Sequence, residues 1–152
     1  MPRLKLEISG SYPFSTEIPV RVSDLNYGAH VGNDALLSIL HEARLRYLRS
    51  MGYENELNIS GAGLIMTDVA VTYRSEGFLG DVLKIEVGIA DVTRVGFDFV
   101  YRVFNQTRDQ EMALAKTAMA AFDVEKRKVQ NLPEPFRRKI PASLTCEVRS
   151  NG

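Results

Sequence analysis

The sequence has little of the material that builds disulfide frameworks or metal centres. Cys146 is its only cysteine, and its 152 residues include two histidines and no tryptophan. One thiol forms no disulfide network, and a cysteine-based zinc site needs several thiolates. We therefore expect a protein of a reducing compartment, the cytoplasm, that folds around an apolar core without a metal.

The sequence also lacks net charge and long apolar runs. Its 19 Lys and Arg residues balance 19 Asp and Glu residues, whereas nucleic-acid binding depends on a basic excess, so we expect no such partner. No stretch approaches the roughly 20 apolar residues of a membrane-spanning helix, and residues 1–14 lack the apolar segment of a secretion signal. Residues 1–152 are enough for one domain with its own core, and we expect residues 142–152 to form a frayed tail.

The stretch from Val20 to Gly52 organises the rest of the chain. Ile18, Val20 and Val22 alternate with polar residues and predict a strand. A polar loop that contains glycine follows at residues 24–32, and the pattern then changes to that of a long helix. Because this loop delivers polar side chains to the beginning of the helix, we expect any chemistry to take place there.

The helix carries start and stop signals of its own. Asn33 suits the N-cap, Asp34 places a negative charge in the first turn, and Gly52 is a natural stop. Its apolar residues are Leu36, Leu37, Ile39, Leu40, Ala43, Leu45, Tyr47, Leu48 and Met51. A stripe of this width predicts a helix that neighbouring elements enclose over much of its circumference.

After the helix, the apolar pattern changes to period two. Strands are predicted at residues 64–74, 82–92, 94–103 and 112–124, with a short strand at residues 4–8 and a short helix at residues 133–140. Consecutive strands that do not alternate with helices indicate an α+β fold. We predict a curved antiparallel sheet of five to six strands wrapped around one long central helix.

Several short motifs follow one another along the chain. They are Arg21, Asp24 and Asn26, then His30, Val31 and Asn33, then Glu42-Ala43-Arg44, Gly80-Asp81, Arg94 with Gly96-Phe97, and Leu132-Pro133-Glu134. In order and spacing they resemble the hot-dog fold, specifically its 4-hydroxybenzoyl-CoA thioesterase-like branch. The resemblance covers nearly the whole chain.

This resemblance implies an enzyme that hydrolyses acyl-CoA or acyl-carrier-protein thioesters, with coenzyme A as part of the substrate and no other cofactor. It implies homodimers or dimers of dimers, in which two sheets join edge to edge and a pantetheine tunnel forms between subunits. The backbone amide of Asn33 would polarise the thioester carbonyl, because free N–H groups and the positive end of the helix dipole lie there. Gly32 would let the ligand approach closely.

One position departs from the family pattern. The second acid of its Asp-x-Asp motif is Asn26 here, and an asparagine cannot take up a proton or form an acyl-enzyme. Asp24 is one candidate base in its place, since residues i and i+2 of an extended chain point the same way. A carboxylate elsewhere, namely Glu42, Asp34 or Asp68, is a second possibility, and a protein that binds acyl-CoA without hydrolysing it is a third. A hydratase with an Asp-x-Asn-Pro-x-His motif is a more distant rival, because the proline is missing.

The remaining candidate residues each have two interpretations. Asp24 and Asn26 are either catalytic or ordinary turn residues, and His30 is either a general acid or base or a link between loop and helix. Substrate or CoA contacts are predicted for Tyr27, Gly32, Thr67, Asp68 and Arg94. For Arg94, the contact is with a CoA phosphate through charge-assisted hydrogen bonds.

Overall fold

The computed structural model describes residues 3–151 and consists of one curved antiparallel sheet, one long helix and a separate two-stranded ribbon. The elements in chain order are β1 (Arg3–Ser9), β2 (Phe14–Pro19), a 3-10 turn (Val22–Asp24), α1 (Asn33–Ser50), β3 (Gly63–Tyr73), β4 (Val82–Ala90), β5 (Gly96–Asn105), β6 (Gln110–Asp123), β7 (Lys128–Val129), α2 (Glu134–Lys139) and β8 (Thr145–Asn151). The predicted order of one strand, one long helix and four further strands is confirmed.

The main sheet has the strand order β2-β4-β5-β6-β3, and β7 pairs with β6. Alternate residues of its strands face α1 and form the core, to which Phe97, Phe99 and Tyr101 of β5 contribute the largest side chains. Small residues of β6, Ala113 and Ala115, lie on the same face and are fully buried. This arrangement confirms the α+β prediction of a curved antiparallel sheet of five to six strands around a helix, and the sheet has six strands.

Helix α1 begins and ends close to the predicted positions. Gly32 is the N-cap and Asn33 is the first helical residue, one position from the prediction, while Gly52 ends the helix with φ of 100°. One face of the helix is buried against the sheet through Leu36, Ile39, Leu40, Ala43, Arg44, Tyr47 and Leu48. The opposite face, which includes His41 and Glu42, is exposed. The sheet of a single chain thus covers one face of the helix, and the predicted enclosure over much of the circumference does not extend to this exposed face.

The strand before α1 is shorter than predicted. It ends at Pro19, and residues 22–24 form a 3-10 turn in which Val22 is 73% exposed. The turn forms because the carboxylate of Asp24 accepts a hydrogen bond of 2.8 Å from the amide of Arg21, which satisfies an otherwise free donor. Local side-chain bonding thus overrides the alternation of apolar residues.

Residues 145–151 form strand β8, so the prediction of a frayed tail is wrong for them, and residue 152 lies outside the described residues. Strands β1 and β8 pair along their whole length to form a two-stranded ribbon, in which Ile8 lies opposite Cys146 and Leu6 opposite Val148. The ribbon packs on the outer face of the main sheet, the face away from α1, where Val100 belongs to its contact cluster. Two short alternating segments that are unstable alone stabilise each other here.

Strand β3 is an edge of the main sheet. It pairs with β6 on one side, and no strand among residues 3–151 pairs with its other side. Four large apolar side chains along it are substantially exposed: Ile65 (37%), Met66 (46%), Val69 (40%) and Tyr73 (50%). An edge of this length and apolar character is a surface prepared for pairing with another strand.

Candidate active site

A cleft of about 330 Å³ opens at the N-terminus of α1. Its walls come from the loop before α1, the first turn of α1, the end of β3 with the turn that follows it, and the start of β6. The residues that line it are His30, Val31, Asn33, Leu36, Tyr73, Arg74, Ser75, Glu76 and Met112. The predicted location of the site, at the beginning of the long helix, therefore coincides with a real cavity.

The first turn of α1 presents free backbone amides at this cleft. The amide of Gly32 donates to Asp24 (3.1 Å) and that of Leu36 donates to Gly32 (3.0 Å). Within the described part of the chain, no atom accepts a hydrogen bond from the amides of residues 33–35. These free donors and the positive end of the helix dipole together stabilise an oxygen atom that carries negative charge at this end of α1.

Gly32 leaves room for the side chain of Asp34 at the start of α1. A Cβ atom there would lie 2.8 Å from the Oδ1 atom of Asp34 and 3.5 Å from the Cβ atom of Asn26. The Asp34 carboxylate thus occupies the space beside the N-cap, where a negative charge is stabilised by the helix dipole. Any larger residue at position 32 displaces this carboxylate.

The side chain of Asp24 is turned away from the cleft. It is 4% exposed, and its Oδ1 and Oδ2 atoms face the guanidinium of Arg21, at 3.3 and 3.4 Å. The predicted extended conformation, in which Asp24 and Asn26 would point the same way, is replaced by the 3-10 turn. Asp24 stabilises the loop in this geometry, and its predicted role as a base stays a prediction.

Asn26 closes the loop on itself. Its Oδ1 atom accepts hydrogen bonds from the amides of Gly28 (2.9 Å) and His30 (3.4 Å), and its own amide donates to the carbonyl of His30 (2.9 Å). This is the turn role that the sequence left open for an asparagine here. Tyr27, at the tip of the loop, is fully exposed and does not line the cleft.

His30 and Glu76 form the ionisable pair of the cleft. The Nε2 atom of His30 lies 3.8 Å from the Oε1 atom of Glu76, and their side chains are 34% and 60% exposed. The two segments are held together because the Val31 amide donates to the carbonyl of Gly77 (2.9 Å) and His30 forms a β-bridge with Phe78. Sequence reasoning found His30 and missed Glu76, since nothing in the turn after β3 marks that carboxylate.

Three further predicted contact residues lie outside the cleft of this chain. Thr67 sits at a β-bulge in β3 and donates to the carbonyl of Ala118 (3.3 Å), while Asp68 pairs with Lys116 (3.0 Å) on the outer face. Arg94 is exposed at the opposite end of the molecule and donates to a side-chain amide.

The two remaining candidate bases, Glu42 and Asp34, also lie outside the group of residues that lines the cleft. Glu42 pairs with Arg46 on the surface of α1 (3.0 Å).

A second recess of about 210 Å³ lies further along α1, in the gap between α1 and β3, and includes Leu37, His41 and Met66. Behind it is a buried polar network. Arg44 pairs with Glu56, and the hydroxyls of Tyr101 and Thr117 are 2.7 Å apart. Burial raises the pKa of Tyr101 to about 12, so this hydroxyl keeps its proton.

A long helix inside a curved antiparallel sheet, with free amides at a cleft, is the architecture of the hot-dog fold. Similar solved structures include a 1,4-dihydroxy-2-naphthoyl-CoA thioesterase from Synechocystis, with 22% identity over 84% of this chain and 94% of that chain and a TM-score of 0.75. A probable thioesterase from Escherichia coli has 21% identity over 82% and 94% of the two chains, with a TM-score of 0.67. A Staphylococcus aureus protein in complex with CoA has 18% identity over 83% and 80%, with a TM-score of 0.74.

The chain belongs to the Thioesterase-like superfamily, whose family model matches residues 20–140. A comparison with curated proteins finds no match. Strands β1, β2 and β8 lie outside the matched range. Neither helix of the described range, residues 3–151, is long and apolar enough to cross a membrane.

Proposed function

We propose that this protein hydrolyses acyl thioesters of coenzyme A or of a carrier protein. The observation that carries the proposal is the N-terminus of α1, where the amides of residues 33–35 have no acceptor among the described residues and Asn33 lines a cleft that also holds an ionisable pair. A thioester carbonyl bound there would direct its oxygen at these amides. They stabilise the negative charge that develops on that oxygen when the carbon is attacked.

We assign the role of base to Glu76, assisted by His30. In this mechanism the Glu76 carboxylate takes a proton from a water molecule as the water oxygen bonds to the thioester carbon. The C–S bond then breaks, and the protonated Glu76 returns its proton to the leaving sulfur, which gives the free thiol and the carboxylic acid. Glu76 is favoured over Asp24 because it lines the cleft and is accessible to water, whereas the Asp24 carboxylate is buried against Arg21.

The unpaired edge of β3 supports a homodimer as the functional unit. Two copies of β3 pair antiparallel about a two-fold axis, which satisfies their free backbone groups and covers Met66, Val69 and Tyr73. These side chains line the gap between α1 and β3 or lie at its rim, so a partner would convert the open gap into a tunnel. Assembly into dimers or dimers of dimers in the cytoplasm is part of this proposal, and no cofactor beyond the CoA of the substrate is required.

A catalytically silent acyl-CoA binding protein is the second candidate. It is favoured by Asn26, which replaces the acid of the family motif and is engaged in turn hydrogen bonds. A hydratase has less support, since Asp24 would have to share one water molecule with His30, and its carboxylate is buried against Arg21.

Release of free thiol from acyl-CoA and acyl-carrier-protein substrates of several chain lengths tests the proposal. We expect Glu76→Gln to lower kcat by about 10²- to 10⁴-fold, the usual contribution of a general base. Glu125→Gln, an exposed carboxylate in the β6–β7 turn, should retain wild-type activity. Full activity of Glu76→Gln together with an inactive Asp24→Asn would show that the base is Asp24.

Absence of turnover on every substrate would refute the hydrolase. Calorimetry with a non-hydrolysable acyl-CoA thioether then decides what remains. Binding of this analogue without thiol release identifies the silent binding protein, and no binding at all rules out both candidates.

A further inference from the structure

The β1–β8 ribbon crosses the outer face of the main sheet from the β2 side to the β3 edge. At one end, the amide of Leu144 donates to the carbonyl of Ile89 (2.9 Å), and Leu144 forms a β-bridge with Ala90. These two residues of β4 follow the segment that pairs with β2. At the other end, β1 contacts β3. The ribbon therefore runs across the strands and not along them.

The dimensions of the ribbon bring its open end to the edge of the sheet. Its seven residue pairs span about 23 Å at roughly 3.3 Å per residue, and the four strand spacings from the β2 position to β3 amount to about 19 Å. The exposure of its inward-facing side chains follows this geometry. Along β1, Leu6 is 1% exposed and Leu4, nearer the open end, is 44% exposed. Val148 lies opposite Leu6 on β8 and is 45% exposed, so the β8 side of this face is also uncovered in a single chain.

The position of the crossing along β3 is also defined. Cys146 packs in one cluster with Ala90 of β4 and Val100 of β5. Ala90 pairs with Asp98, so Cys146 lies above the part of β5 that contains Asp98. Asp98 pairs with Ala118, which in turn pairs with Asp68, the central residue of β3. A ribbon that crosses the strands at this level reaches β3 near Asp68. In an antiparallel β3–β3 pair centred on Asp68, the two-fold axis passes at the same level.

We propose that the β1–β8 ribbon is a dimer clasp, which extends the contact between two copies of this chain from the β3 edge onto the outer face of the joined sheet. In a two-fold dimer both ribbons lie on the same face with their open ends directed at each other. Leu4 and Val148 of each copy, together with the outward-facing Ile65 of β3, then lose their exposure. The clasp rests on the dimer of the proposed function and is independent of the hydrolytic activity.

A second copy is the occupant that the surface favours. The exposed apolar side chains sit beside an unpaired edge whose natural partner is the same edge of another copy, so the clasp is continuous with that interface. The other face of the ribbon carries Lys5, Glu7, Glu147 and Arg149, which form ion pairs among themselves. That face is suited to water.

Dimer dissociation on dilution, measured by sedimentation, tests the clasp in the full chain. We expect Leu4→Lys and Val148→Lys each to raise the dimer Kd at least tenfold. Val22→Lys is the matched control, because this exposed valine lies near the opposite edge of the sheet. A Kd within twofold of wild type for both ribbon variants would overturn the clasp and leave the dimer intact.

A second variant removes any dependence on added charge. Under mild oxidation, Leu4→Cys should give a covalent dimer, whereas Val22→Cys should give no more than wild type. Yields equal in the two variants would overturn the clasp. A wild-type chain that is monomeric at micromolar concentration would refute both clasp and dimer, while the thiol-release assay still decides the hydrolysis by itself.

Discussion

The ion pair between Arg44 and Glu56 fixes the gap between α1 and β3, and its removal has a calculable effect. The two side chains are 7% and 17% exposed, and the pair links α1 to the segment that connects it to β3. At an effective dielectric constant near 20, two unit charges about 4 Å apart attract by about 4 kcal/mol. Much of this attraction is offset by the cost of removing both charges from water.

Removal of Glu56 leaves the Arg44 charge buried without its ion-pair partner, and removal of Arg44 leaves Glu56 with His41, 3.7 Å away, as its remaining partner among the described residues. Loss of one member of a buried pair typically costs about 3–5 kcal/mol, and the partial exposure of Glu56 places the effect at the lower end. We expect Glu56→Gln to lower the free energy of unfolding by about 3 kcal/mol and Arg44→Met by about 2 kcal/mol. The double variant should lose clearly less than the sum, because neither charge then remains buried alone.

Urea denaturation of wild type, both single variants and the double variant at pH 7 gives the coupling energy of this cycle. We expect a coupling of about 2 kcal/mol. Strictly additive losses would refute the reasoning, since they would mean that the two charges do not compensate each other. The exposed pair formed by Glu42 and Arg46 on α1 serves as the matched comparison, with an expected coupling below about 0.5 kcal/mol.

Three further substitutions have defined outcomes in thermal or urea unfolding. Gly96→Ala should destabilise by about 2 kcal/mol or more, because a Cβ there overlaps the carbonyl oxygen of Met119; wild-type stability would contradict this contact. Burial raises the pKa of Asp98 from 3.8 to about 6, so the folded protein loses stability as pH rises through this window. Asp98→Asn should therefore be about 1 kcal/mol more stable than wild type at pH 8, after allowance for solvent screening, and equal to it at low pH. Tyr47→Phe should be neutral or stabilising by about 1 kcal/mol, because the Tyr47 hydroxyl is buried without a partner in the described residues; a marked loss would reveal an unrecognised bond.

The fold was predictable from the sequence because its largest signals are periodic. The strands from β3 to β6 alternate over nine or more residues, and α1 has both a first-turn acid and a terminal glycine. Other elements were not predictable, because they depend on particular side-chain contacts or on a partner strand far away in the sequence. The 3-10 turn depends on the hydrogen bonds between Arg21 and the Asp24 carboxylate, and β8 is stable only because β1, far away in the sequence, supplies its partner.

The candidate site was predictable in its position and only partly in its members. The helix start and His30 followed from the loop motif. Glu76 could not be predicted, because the turn after β3 brings it next to His30 and no local sequence pattern marks that turn. Asp24 and Asn26 carried the family signal, yet in the folded chain their side chains hold the loop in shape. Motif positions identify a place in the fold more securely than the chemical role of each residue there.

The strand order of the main sheet has a consequence for how the chain folds. Strands β4, β5 and β6 follow each other as hairpin neighbours, whereas β3 precedes them in sequence and pairs with β6, the last of the three. Strands β4, β5 and β6 pair through short loops, whereas β3 has to pair with β6, which comes later in the sequence. Closing this long loop carries an entropic cost before any contact repays it. Strand β2 pairs with β4 across a still longer separation, Phe14 with Val87. We therefore expect attachment of the two flanking strands, β2 and β3, and not formation of the hairpins, to be the slow step in completing the sheet.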